Sequence, residues 1–212
     1  CGEGDAAIFY HSAYSTSGLL LFLVWKDKSV SHVYREHAAT RLLAIFHDAL
    51  ILHLGVIDQK RSHGRNQVQT LGRAMRTVSL FVDAVLSSSP LPATALLFPS
   101  HPRVLVPAST HSRLLQLLAS LASNFDSHLM ALMVDCKTVV CTDGWRRLPS
   151  KEQALLSLEM SSQPEAFARD VPIHLPITSP DVPNRLLSVL LTRRVHVVLL
   201  CGSSPHLSEL VR

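Results

Sequence analysis

Proline divides this chain unevenly. All twelve prolines lie at or after Pro90, and the first 89 residues contain none. Proline fixes φ and removes a backbone donor. Its absence leaves the first segment free to run in unbroken helices and strands. Its recurrence later confines strands to edges and marks turns. The onset itself, Ser87-Ser88-Ser89-Pro90-Leu91-Pro92, has the composition of a module boundary. Two modules are therefore expected, 1–89 and 90–212, in a length that suits one or two domains with a real core.

The first segment reads strand, strand, helix, helix. Ala6 to Tyr10 is a short β-prone run. Leu19 to Trp25 is continuously apolar, as in a strand buried on both faces. From about Ser31 the period changes: Ala38, Leu42, Leu43, Ile45, Phe46, Ala49, Leu50 and Leu54 form a helical stripe, and Gly55 suits a C′ stop. A second helix carries Val68, Leu71, Met75, Val78, Val82 and Val85 at spacings of 3, 4, 3, 4 and 3.

The second segment has a fuller pattern. Leu114 to Leu121 reads as a helix capped by Ser109 or Thr110. Leu129–Val134 and Thr138–Cys141 form a hairpin turned by Asp135-Cys136-Lys137 and closed by Asp143-Gly144. Ser150, with Gln153 three residues on, resembles a capping box opening a helix to about Met160. Val171–Ile177 alternates, with Pro172 and Pro176 on the other parity, which predicts an edge strand. Leu186–Leu191 and Val195–Cys201 are strands joined at Thr192-Arg193-Arg194, and Ser204-Pro205 reads as an N-cap with proline at N1. The order from residue 129 is β-β-α-β-β-β-α. The fold class is α+β, with a five-stranded, mostly antiparallel sheet flanked by helices.

Composition narrows the function. Apolar residues make up 47% and charged residues 17%, which excludes a disordered charged tail. The net charge of +4 is spread evenly, with no basic block and no aromatic interleaving of the kind nucleic acid needs. The longest apolar run, Leu19 to Trp25, is far short of the ~20 residues of a membrane span. Four scattered cysteines, none in C-x-x-C, favour reduced thiols and a cytoplasmic setting. A start at Cys1 and a stop at Arg212, in an opening helix, lead us to expect an internal piece of a longer protein.

Motifs for covalent chemistry are sparse. His37, His47 and His53 share one predicted helix, but their spacings of 10 and 6 are not the i, i+4 of a zinc helix. His196 lies in an apolar strand and reads as a satisfied core imidazole. Cys136 and Cys141 lack a second ligand pair. Gly202-Ser203-Ser204 has one glycine and no following lysine, too little for a phosphate loop. Glu159, Glu165, Asp170 and Asp181 read as solvated charges. No catalytic residue, cofactor or metal is expected. Two surfaces remain. Lys60, Arg61 and Arg65, with Arg73 and Arg76, form a modest basic cluster that reads first as a solvated helix face and second as a contact for an anionic lipid surface. Trp145, Arg146 and Arg147, in Thr142-Asp143-Gly144-Trp145-Arg146-Arg147-Leu148, are residue types enriched at protein–protein hot spots. The competing expectation for Trp145 is that it simply covers the hairpin.

These residues carry a resemblance. Thr142–Leu148, Ala168–Pro176, Ser179–Leu187 and Leu199–Ser208 resemble, in order and spacing, the corresponding parts of the Fuzzy family of planar cell polarity effectors. Val24-Trp25 and Phe81–Leu86 match more weakly. The resemblance implies a protein of three longin-like modules, with the end of the first in 1–89 and most of the second in 90–212. It further implies an Inturned-like partner, other subunits of a ciliogenesis and planar polarity effector complex, and a place at the cytoskeleton and ciliary basal body. By analogy with related tri-longin pairs it implies action on a Rab-like small GTPase, as part of an exchange factor without covalent chemistry. The alternative, from the basic cluster, is a membrane-trafficking adaptor in peripheral contact with anionic lipid.

Overall fold

The structure, a computed structural model, describes residues 7–13, 19–25, 32–55, 76, 78–81, 83, 104–125, 127–162 and 166–211. The chain divides into two compact units, Cys1–Phe98 and Pro99–Arg212. The first contains β1 (Ala7–Ala13) and β2 (Leu19–Trp25), paired antiparallel from Ala7↔Trp25 to Ala13↔Leu19, and α1 (His32–Leu54), which lies against both strands. The stripe expected on α1 is buried at Leu42, Leu43, Ala49 and Leu50. Gly55 ends the helix at φ 70°, its N–H donating to the Ile51 carbonyl at 2.8 Å. Of the second expected helix, helical backbone is present at Arg76, Val78–Phe81 and Asp83, with Val78 and Phe81 buried. The rest of it, Val68 to Met75 among it, lies outside the described residues.

The second unit holds α2 (Ala108–Asn124), β3 (Met130–Val134), β4 (Lys137–Cys141), α3 (Asp143–Arg147), α4 (Ser150–Ser162), β5 (Ala168–Leu175), β6 (Ser179–Thr192), β7 (Val195–Cys201) and α5 (Leu207–Leu210). The five strands form one sheet in the order β4-β3-β7-β6-β5, antiparallel at every pairing. Side chains alternate across a strand, and here both parities are buried. Met130, Leu187, Val197, Leu199 and Cys201 form one face with Leu118 and Ala122 of α2. Ala131, Met133, Leu186, Val198 and Leu200, on the other parity, are buried as well. α4 buries Leu155, Leu156 and Met160 together with the polar Glu152, Gln153, Ser157 and Glu159. The product is a sheet between helices.

Several local expectations shift for physical reasons. α2 begins at Ala108 behind Pro107 with no side-chain cap, so neither Ser109 nor Thr110 is the N-cap. Ser150 is the first residue inside α4, because the Gln153 N–H already bonds the Pro149 carbonyl at 3.0 Å. The expected capping box is replaced: Gln153 Nε2 donates back to the Leu148 carbonyl at 2.8 Å. α5 starts at Leu207 behind His206, so Pro205 is not at N1. β5 ends at Leu175 rather than Ile177, because the Ile177 and Thr178 N–H groups bond a carboxylate instead of a strand. β6 runs back to Ser179, well before the expected Leu186. Its proline-bearing start is tolerated because β7 reaches only as far as Arg185, leaving residues 179–184 with one open edge.

Candidate functional site

The Thr142–Leu148 segment does not close the hairpin as a loop. It turns into α3, and most of its unusual residues are used internally. The Thr142 hydroxyl lies 2.6 Å from the His128 carbonyl and accepts the Met130 N–H at 3.0 Å, fastening the start of α3 to the start of β3. A Cβ on Gly144 would fall 2.2 Å from the His128 carbonyl oxygen, so the segment approaches as closely as only glycine allows. Trp145 is 0% exposed. This corrects its candidacy as a partner contact: the indole fills the core beside β3, and no surface is left for a partner to reach. Arg146 and Arg147 are exposed on the same short helix, with Arg146 Nη1 bonded to Asp143 Oδ1 at 3.1 Å. The other candidate surface, Lys60, Arg61 and Arg65, lies outside the described residues.

Of the carboxylates read as solvated, Glu159 is buried in α4 and Asp170 is ion-paired, so both are used inside the fold. Asp181 is exposed on β6 as expected, and Glu165 lies outside the described residues. Glu152 carried no sequence signal beyond its place in the first turn of a helix. It is 0% exposed, and it accepts the Ile177 N–H at 2.7 Å, the Thr178 N–H at 2.8 Å and the Thr178 hydroxyl at 2.6 Å. One carboxylate thereby ties the front of α4 to the β5–β6 turn. Three donors to one buried carboxyl group meet the requirement that a buried polar group be hydrogen-bonded.

Arg185 is a second knot. Its Nε and Nη2 form a two-point pair with Asp170 of β5, while Nη1 reaches the Ser203 and Pro205 carbonyls at 3.2 Å each. The hydrogen bonds that the Arg185 guanidinium donates to Asp170 hold it above its ordinary pKa. Beside it, the Cys201 thiol donates weakly to the Arg185 and Pro205 carbonyls, and burial pushes its pKa up. Gly202-Ser203-Ser204 is thus the turn that Arg185 holds. Cys136 and Cys141 stand at opposite ends of β4, not face to face. His196 is buried in β7. Among the described residues, no three His, Cys, Asp or Glu side chains gather as a metal-binding group, and no helix is long and apolar enough to cross a membrane.

What these arrangements do is position backbone: they fasten a helix-flanked antiparallel sheet. Residues 125–212 match the family model described as the second longin domain of FUZ, MON1 and HPS1, so this unit is a longin domain. The chain is 34% identical over 170 residues to "Protein fuzzy homolog" of Homo sapiens and 32% identical over 170 residues to that of Mus musculus. Each alignment covers 80% of this chain and 39% of the relative, so the chain spans well under half the length of those relatives. A shorter stretch of 84 residues, 40% of this chain and 20% of the relative, is 42% identical to "Protein fuzzy homolog" of Xenopus tropicalis. Over four fifths of its length the chain is a homologue of the Fuzzy proteins.

Proposed function

We propose that the protein is a non-catalytic interaction subunit of a ciliogenesis and planar cell polarity effector complex, acting with an Inturned-like partner at the ciliary base. The observation behind this reading is the match of residues 125–212 to a second longin domain, joined to 34% identity with a Fuzzy homologue. A unit whose sheet is buried on both faces presents turns, edges and helix ends, which act by binding. With its partner, the protein acts on a Rab-like GTPase by favouring the conformation that holds nucleotide poorly. A partner shifts that equilibrium only by its differential affinity for the two conformations. Arg146 and Arg147, exposed on α3, are the contact residues we assign to the partner.

The test is co-expression of the full-length protein with an Inturned-type partner, followed by nucleotide release from a Rab-like GTPase. The pair is expected to co-purify and to accelerate release where neither subunit does so alone. Reversing Arg146 and Arg147 to Glu is expected to weaken the pair about tenfold, or ~1.4 kcal/mol, with Trp145 emission unchanged. A monodisperse full-length protein without affinity for that partner removes the reading. Lys60, Arg61 and Arg65 support a second one, a trafficking adaptor on anionic lipid. Liposome flotation with all three changed to Glu tests it, and undiminished recruitment rejects it.

A further inference from the structure

Two hairpin turns meet at one end of the second unit's sheet. Val134 pairs with both Lys137 and Val195, and Thr192 pairs with Val195, so the Asp135–Cys136 and Arg193–Arg194 turns are neighbours. They are also fastened together. The Asp135 N–H donates to the Arg194 carbonyl at 3.0 Å, and Arg194 Nε lies 3.4 Å from Asp135 Oδ1.

Backbone strain concentrates here. Among the described residues, the non-glycine residues with left-handed backbone are Asp135 at φ 49°, Cys136 at φ 60° and Arg194 at φ 70°. Asp tolerates this region, but cysteine and arginine stand where Gly or Asn is favoured. Strain of this kind, held in place by surrounding contacts, marks sites used for something other than stability.

The chemistry of the tip is specific. Lys137 and Arg193 are exposed, and the side chains of Arg194 and Asp135 are 62% and 50% exposed, which leaves cations in excess. Leu191 is 56% exposed beside the turn. Leu105, 95% exposed, follows Val104, whose N–H bonds the Thr138 carbonyl next to Lys137. Two of the three cations are arginines, whose planar forks take carboxylates in two-point contacts. They sit on turns locked to one another, a preformed surface for a protein segment rather than a mobile lysine-rich patch for a membrane.

We infer that the paired Asp135–Lys137 and Thr192–Arg194 turns form a docking surface for an acidic protein segment with interspersed apolar side chains. Carboxylates meet Arg193, Arg194 and Lys137, and the apolar side chains meet Leu105 and Leu191. This surface is independent of the pairing proposed above.

The probe is a fluorescein-labelled peptide alternating Glu and Leu, titrated against the full-length protein by fluorescence anisotropy. Binding is expected to weaken as ionic strength rises through about 0.15 M. Lys137→Glu with Arg193→Glu is expected to reduce affinity about tenfold or more, while Arg113→Glu, on the exposed side of α2, leaves it unchanged. Arg194→Gly carries the distinguishing readout. It relieves the left-handed strain and raises the thermal midpoint by roughly 2–4 °C, yet it weakens peptide binding. The inference is overturned if the unaltered protein does not bind the peptide, if Arg113→Glu costs as much as the turn variants, or if Arg194→Gly leaves binding intact. Binding to phosphatidylserine vesicles without binding to the peptide likewise overturns it, in favour of a membrane.

Discussion

A Cβ at position 144 has nowhere to go. It would fall 2.2 Å from the His128 carbonyl oxygen, against backbone that Thr142 already grips. Gly144→Ala is therefore expected to lower stability by about 1–3 kcal/mol, the range for overpacking at a well-filled site, measured by urea denaturation. An unchanged midpoint would contradict the packing described for α3. Cys201 carries an expectation for alkaline pH. Burial raises its pKa above the ordinary 9.0, so folding favours the neutral thiol. A raised pKa contributes stability that is fully present below pH 9.0 and lost as pH climbs through the folded-state value. Thermal midpoints are expected to fall above that pH, and Cys201→Val should flatten the fall. A slope identical in both proteins would assign the alkaline loss to other groups.

At the scale of elements, edges decide behaviour. β4 and β5 are the outer strands of the sheet. β4 is partly covered where the Val104 N–H bonds the Thr138 carbonyl. β5 defends itself differently. The Phe167 carbonyl accepts the Leu190 N–H at 2.8 Å, so the odd-numbered residues turn their backbone groups into the sheet and Pro172 faces outward. Without an N–H, Pro172 interrupts the row of donors that would template another strand. Pro172→Val restores that donor, and the full-length protein is then expected to self-associate more, read by light scattering across a concentration series. Unaltered scattering would mean that the Asp170–Arg185 pair beside it suffices to guard the edge.

At the scale of the molecule, the second unit has its own core and its own sheet. Residues 99–212, expressed alone, are expected to unfold in a single cooperative transition with the blue-shifted emission of a buried indole, since Trp145 is their sole tryptophan. Red-shifted emission from the isolated unit would show that the first unit is needed to close its core. Arg146→Glu in the same piece should leave that emission in place, because the arginine is exposed on the helix that buries the indole.

Much of this architecture was legible along the chain. The runs Leu129–Val134, Thr138–Cys141 and Val195–Cys201 carry their own periodicity, and Pro172 marked an edge strand, because strand burial and the missing proline donor are local properties. What the second half of the chain contributes to β6 was not legible: Ser179–Arg185 is extended because β5 pairs with it, not because of its composition. The same holds for the site. Arg146 and Arg147 reach the surface as their charge predicts, but whether Trp145 is an anchor or a core residue depends on where β3 lies. Glu152, Arg185 and Arg194 gave no sign, since their partners are Thr178, Asp170 and Asp135, which lie 26, 15 and 59 positions away. Local pattern alone determined which segments become strands and helices. Only the tertiary structure decided which polar side chains are buried and tied, because a hydrogen bond between distant residues exists only once the sheet has brought them together.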